Sequence, residues 1–171
     1  SDVAGLIASG IDVAFVTSPD DTHAEVTCPL LEAGIPVYLE KPLAVTMATA
    51  TKILTTAFET GTKLYVGHNM RHMNVVRSMR DLIRTGRIGE VKAIWCRHFV
   101  GSGGDFYFKD WHATREHGTG LLLQKAAHDI DVMHWFADSY TADVVGMGGL
   151  TLYDQITDRR DNSDQLMGDW Y

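Results

Sequence analysis

Two cysteines, Cys28 and Cys96, are all that 171 residues contain. They are too few for a disulfide framework and lack the spacing of a metal site, so both are expected to be buried small hydrophobes in a reducing compartment, the cytoplasm. Basic residues are also short, 15 Lys and Arg against 22 Asp and Glu, for a net charge of -7. An acidic surface repels phosphate backbones, which disfavours nucleic acid as a partner. No apolar run approaches the ~18 residues a membrane helix needs, and the N-terminus lacks a signal-peptide layout. Internal repeats and low-complexity tracts are missing. The sequence begins at Ser1-Asp2 without Met and stops at Trp170-Tyr171, so it is expected to be a piece of a longer protein.

What is present is ordinary globular composition, 45% hydrophobic and 22% charged. Short apolar runs at Asp12–Thr17, Pro36–Leu39 and Lys63–Gly67 read as strands. Between them lie helical stretches. Asp2 caps a short helix to Ser9, and Asp20 or Asp21 caps one to about Ala33, with a kink expected at Pro29. Thr46 caps another to Thr60, with Ile53, Leu54, Ala57 and Phe58 on one face. A fourth covers Asn74–Arg84, with Val75, Val76, Met79, Leu82 and Ile83 as its stripe. This alternation is the signature of βαβ units and a parallel sheet. Such sheets bind ligands beyond the carboxyl ends of their strands. Those ends are polar here: Thr17-Ser18-Pro19, Glu40-Lys41-Pro42 and Gly67-His68-Asn69.

Beyond Gly89 the pattern changes. Glu90–Val100 alternates in part and suits a strand of a mixed sheet with one wet face. Gly101–Gly120 reads as an irregular, aromatic-rich loop, Leu121–Phe136 as a helix, Asp143–Tyr153 as a strand weakened by glycines, and Asp154–Asp169 as a loop. The expected architecture is α/β: an incomplete Rossmann-like parallel sheet over residues 1–89, then part of an α+β mixed-sheet domain over residues 90–171.

In the late helix, Leu122, Ala126, Ile130, Met133 and Ala137 form an apolar stripe, Gln124, His128, Asp131 and Trp135 a second face, and Lys125 and Asp129 a third. His128 either presents an imidazole to a cleft or is an ordinary hydrogen-bonded histidine. Lys41, at a strand's carboxyl end, either stabilises a developing alkoxide or is a solvated turn residue. Pro42 holds Lys41 extended and permits a cis peptide. Trp111 and the aromatics Phe106, Tyr107 and Phe108 either line a pocket or pack a small cluster. No G-x-G-x-x-G follows a strand, and Gly101-Ser102-Gly103-Gly104 is a poor phosphate cradle. His128-Asp129 with His68, His72 or His112 would suit a metal phosphohydrolase, but those folds are all-helical, and no metal is expected.

The segments DVAFVTSPDDTH (12–23), LEAGIPVYLEKPL (31–43), VGHNMR (66–71), LIRTGRIGEV (82–91) and GTGLLLQKAAHDID (118–131) together resemble the Gfo/Idh/MocA oxidoreductases. The resemblance implies an N-terminal Rossmann domain for NAD or NADP and a C-terminal mixed-sheet domain that shapes the substrate pocket and supports a homo-oligomer. It implies that Thr17, Ser18, Pro19, His23, Glu40, Lys41 and Asn69 lie by the cofactor. It places Arg71, Trp111, Gln124 and Lys125 on the substrate side, with Lys41 and His128 as the catalytic pair acting on a secondary alcohol of a sugar or polyol. Many members carry Asp where this chain has Gln124. That departure leaves room for a non-catalytic, cofactor-sensing protein or a glycosidase-type relative using NAD. The acidic residue that separates NAD from NADP would lie ahead of Ser1.

Overall fold

The computed structural model describes residues 2–101, 104–118, 120–149, 153–155 and 157. Ser102, Gly103, Thr119, residues 150–152 and most of Asp154–Asp169 lie outside the described residues.

Three short strands, β1 (Ala14–Val16), β2 (Val37–Leu39) and β3 (Leu64–Val66), pair in parallel in that order among the described residues. The helices are α1 (Val3–Ala8), α2 (His23–Glu32) and α3 (Met47–Thr60). They are followed by α4 (Asn74–Arg84), α5 (Gly104–Lys109) and α6 (Leu121–Ala137). Tight 3-10 turns cover Asp20–Thr22, Asn69–His72 and Trp111–Ala113. The expected βαβ alternation and parallel sheet are therefore observed.

Local chemistry sets the helix ends. Asp2 Oδ1 accepts from the Gly5 amide at 2.8 Å. Thr46 Oγ1 accepts from the Thr49 amide at 3.1 Å, while the Thr49 hydroxyl lies 3.3 Å from the Thr46 amide, a reciprocal cap. Gly61 ends α3 at φ 64°, a left-handed conformation that glycine reaches without a Cβ clash. The helix α2 runs on through Pro29 to Glu32.

One core lies between the sheet and the helices α1–α3, built on Val16, Cys28, Leu30, Leu31, Val37, Leu39 and Ile53. A second joins α4 to α6 through Val76, Val132 and Phe136, with Met70, Ile83 and Trp135 against it. Each strand alternates rather than being buried on both sides. Ala14, Val16, Val37 and Leu39 face inward, and Phe15, Tyr38 and Tyr65 stack across the other face with ring centroids 5.3 Å apart.

Several expectations need correcting. Cys96 is exposed. Of the expected α3 face, Ile53 is fully buried but Phe58 is 86% exposed. In α4, Val76 is buried while Val75, Met79 and Leu82 are exposed. Residues 90–100 and 143–149 are irregular, since no neighbouring strand pairs with either among the described residues. The supposed loop after Gly101 contains α5. Most telling, α6 turns the other way: Leu122 is 80% exposed, whereas Gln124, Val132 and Phe136 are buried. The face carrying Gln124, His128 and Asp131 is the one laid on the rest of the molecule.

Candidate active site at the carboxyl edge of the sheet

The ladder is extended by Glu40 N donating to Val16 O at 2.9 Å and Gly67 N to Leu39 O at 2.7 Å. This aligns the three polar exits side by side. Thr22 Oγ1 lies 2.7 Å from both Ser18 Oγ and Pro19 O, contacts that tighten the first exit. His23 is fully buried. Its Nδ1 lies 2.9 Å from the Pro42 carbonyl oxygen and its Nε2 3.1 Å from that of Ser18. The ring therefore ties the first two exits together and has no surface left for a ligand, so His23 supports the crevice rather than lining it. The Lys41–Pro42 peptide is cis.

Of the residues placed beside a cofactor by resemblance, Thr17, Pro19 and Asn69 are exposed at the rim, and Ser18, Glu40 and Lys41 are half-buried. Glu40 Oε2 accepts from the Lys41 amide at 3.0 Å. A Cβ at Gly67 would meet Tyr38 Oη at 2.8 Å and Glu40 Oε1 at 3.2 Å, so glycine keeps room for that carboxylate on the crevice floor.

The helix α6 closes the site. Lys41 Nζ donates to the Gln124 main-chain carbonyl at 3.1 Å and to its Oε1 at 3.4 Å. Gln124 Nε2 donates in turn to Asp20 Oδ2. His128 lies one helical turn further, its ring edge-on to His68 with centroids 6.3 Å apart. His128 Nδ1 is buried with no hydrogen-bond partner among the described residues. Burial, then the charges of Lys41 and His68, lower the His128 pKa below 6.5. Burial also lowers His68, and Lys41 is lowered by burial and by Lys125, against the pull of Asp20 and Glu40. Asp20 is pushed up to about 6, mainly by burial.

The segment ahead of α6 borders the same charges. His112 is buried, stacks on Trp111 with centroids 3.4 Å apart, and is pushed down to about 4 by burial and then by Lys41 and Lys125. Lys125 Nζ sits 4.7 Å from the Tyr107 ring centroid. Asp129 accepts from His98 Nδ1 at 2.9 Å. Arg71 is turned toward α6. Its Nε and Nη2 donate to Asp131 at 2.7 and 2.6 Å, and its guanidinium lies 5.4 Å from the Trp135 ring centroid. Arg71 thus docks the Asn69–His72 turn onto α6. The phosphohydrolase grouping does not assemble: His72 faces Tyr65, Asp129 faces His98, and no three metal-ligating side chains gather among the described residues. No helix among those residues is long and apolar enough to cross a membrane.

Asp20 and His112 are the site-bordering residues that sequence reading did not assign to this chemistry. Asp20 was legible only as a helix cap, because its partner is 104 positions away.

Residues 1–68 match the family model described as "Oxidoreductase family, NAD-binding Rossmann fold", and residues 76–167 match "GFO/IDH/MocA C-terminal domain". A 1,5-anhydro-D-fructose reductase of Ensifer adhaerens is 32% identical over 80% of this chain and 41% of its own length. An inositol 2-dehydrogenase of Klebsiella pneumoniae is 32% identical over 75% of this chain and 36% of its own length. The crystal structure of an oxidoreductase domain protein from Kribbella flavida superposes with a TM-score of 0.70 at 27% identity, over 81% of this chain and 38% of that one. The chain thus spans roughly two fifths of the length of these relatives.

Proposed function

The chain belongs to the Gfo/Idh/MocA oxidoreductase family, and from that premise we propose that the whole protein carrying it is an NAD(P)-dependent dehydrogenase acting on a secondary alcohol of a sugar or polyol. We place its domain boundary near residue 89. One observation carries the reading: Lys41 is anchored to Gln124, one helical turn before a desolvated, neutral His128. An ammonium has three N–H donors. Two meet Gln124, which leaves one for a substrate oxygen.

The residues present fit a dinucleotide. Glu40 is kept in the crevice by the space at Gly67, and a carboxylate there accepts hydrogen bonds from ribose hydroxyls. Thr17, Ser18 and Asn69 add polar groups along the rim. NAD or NADP, when bound, supplies the hydride acceptor.

The rest is done by side chains. His128, neutral at pH 7, takes the proton of the substrate hydroxyl as general base. Lys41 donates its free N–H to the same oxygen and stabilises the growing negative charge. Trp111 and Lys125 stand on the substrate side, where Lys125 offers a second cation to hydroxyl or acidic groups. Loss of the proton acceptor on acidification gives kcat/KM an acid limb below pH 6.5, set by His128, and loss of the Lys41 charge gives an alkaline limb below pH 10.5.

The test is turnover of the whole protein over a panel of sugars and polyols with NAD and NADP, followed by the absorbance of the reduced nicotinamide. His128→Ala and Lys41→Ala should each lower kcat/KM by about 100-fold or more. Parental turnover in both variants would overturn the assignment.

A further inference from the structure

Behind Lys41 stand two buried polar side chains, its anchor Gln124 and Asp20, of which Asp20 has no part in the chemistry above. Asp20 is 6% exposed and Gln124 is 3% exposed. They lie 104 positions apart in sequence and meet through Gln124 Nε2 and Asp20 Oδ2. The other end of the same carboxamide, Oε1, accepts from Lys41 Nζ. A carboxamide has one accepting end and one donating end. Turned over, it would set its NH2 against the ammonium, donor facing donor. An ionised carboxylate can only accept, so Asp20 leaves Gln124 one orientation, the one with its oxygen toward Lys41. The titratable groups around this trio are His23 and Asp21 beside Asp20, and Lys125, Glu40, His68, His112 and His128 beside Lys41.

We propose that Asp20 is a positioning residue for Lys41, acting through Gln124: it fixes the amide that aims the lysine ammonium and holds its charge in a half-buried site. The catalytic part given to Lys41 rests on the dehydrogenase reading. The aiming of its ammonium does not.

The reporter is the 13Cε resonance of Lys41, followed against pH in lysine-labelled whole protein and assigned by its loss in Lys41→Arg. Asp20→Asn keeps the shape but gives position 20 a donor as well as an acceptor, and removes a negative charge near the ammonium. The Lys41 midpoint should fall by about half a unit to one unit. Gln124→Glu sets two carboxylates against each other and should lower kcat/KM. Adding Asp20→Asn to it rebuilds the chain with only the bond between positions 20 and 124 reversed, since the new amide donates to the new carboxylate, which still accepts from Lys41. The double variant should recover about tenfold in kcat/KM over Gln124→Glu alone.

Asp20 also acts on the ammonium directly through its charge, so the part carried by Gln124 is read as a larger midpoint fall from Asp20→Asn in the parent than in a Gln124→Leu background, and equal falls overturn the proposal. An unmoved midpoint in Asp20→Asn, or a double variant no better than Gln124→Glu, overturns the proposal. Should Asp20→Asn alone not fold, the double variant decides. A shifted midpoint in a protein whose Lys41→Ala form turns over normally would uphold the positioning role and remove the dehydrogenase reading instead.

Discussion

At neutral pH Asp20 is a carboxylate in a place where burial favours its acid form. Its pKa rises from 3.8 to about 6 on folding, so between those values the folded chain holds a proton that the unfolded chain releases. Its contribution to stability is greatest below pH 4 and declines as pH rises through about 6. Asp20→Asn should therefore melt higher than the parent at pH 7.5, with the advantage gone by pH 4. His112 has the opposite sign. Its pKa falls from 6.5 to about 4, so the stability of its neutral ring is complete above pH 6.5 and is lost on acidification toward 4. The two slopes oppose one another in the parent. Melting curves at pH 4.5, 6 and 7.5 should show a steeper acid loss in Asp20→Asn, and parallel profiles would contradict the Asp20 assignment. A side chain that lowers stability where it stands and yet is hydrogen-bonded to Gln124 is the expected trade between stability and a site held ready for chemistry.

Among the elements, α6 separates what a pattern can tell from what it cannot. Its period correctly marks a helix from Leu121, and its polar face correctly groups Gln124, His128 and Asp131. The stripe Leu122, Ala126, Ile130 and Met133 also suggests a core, yet the buried apolar contacts are Val132 and Phe136. Periodicity says that a face is apolar; it does not say which neighbour wins the helix. Here Arg71–Asp131 and Lys41–Gln124 pull the polar face inward. Phe136→Ala should accordingly cost about 3–5 kcal/mol in chemical denaturation, and an effect below 1 kcal/mol would mean that this contact is not a core. Strands β1–β3 were legible because each is a short apolar run holding a valine and an aromatic residue and closed by turn residues. The ends of α3 were legible because Thr46 and Gly61 carry the chemistry of a cap. Residues 90–100 were misread because alternation needs a paired neighbour to become a strand. Lys41 and His128 were readable as a pair only through resemblance, since no local spacing relates residues that far apart.

Across the molecule, the carboxyl edge of the sheet and the segment from Trp111 to α6 are joined by polar contacts as much as by apolar packing. Asp21 Oδ2 accepts from His117 Nδ1 at 2.8 Å, next to the Asp20–Gln124 contact. That bond raises the His117 pKa above 6.5, so its contribution is full below pH 6.5 and is lost as pH rises through the raised value. Asp21→Asn should speed amide hydrogen exchange over residues 111–118 while leaving β1–β3 unchanged; equal exchange in both forms would show that the contact does not tether the segment. The exits of β1 and β2 are held in another way. The His23 imidazole lies between two main-chain carbonyls, and an aromatic ring does not stretch. It acts as a shim, setting the gap between the Ser18 and Lys41 turns once the chain has folded. A ligand laid across both turns meets a span already cut to length, so the entropy of aligning them is lost during folding rather than charged against affinity.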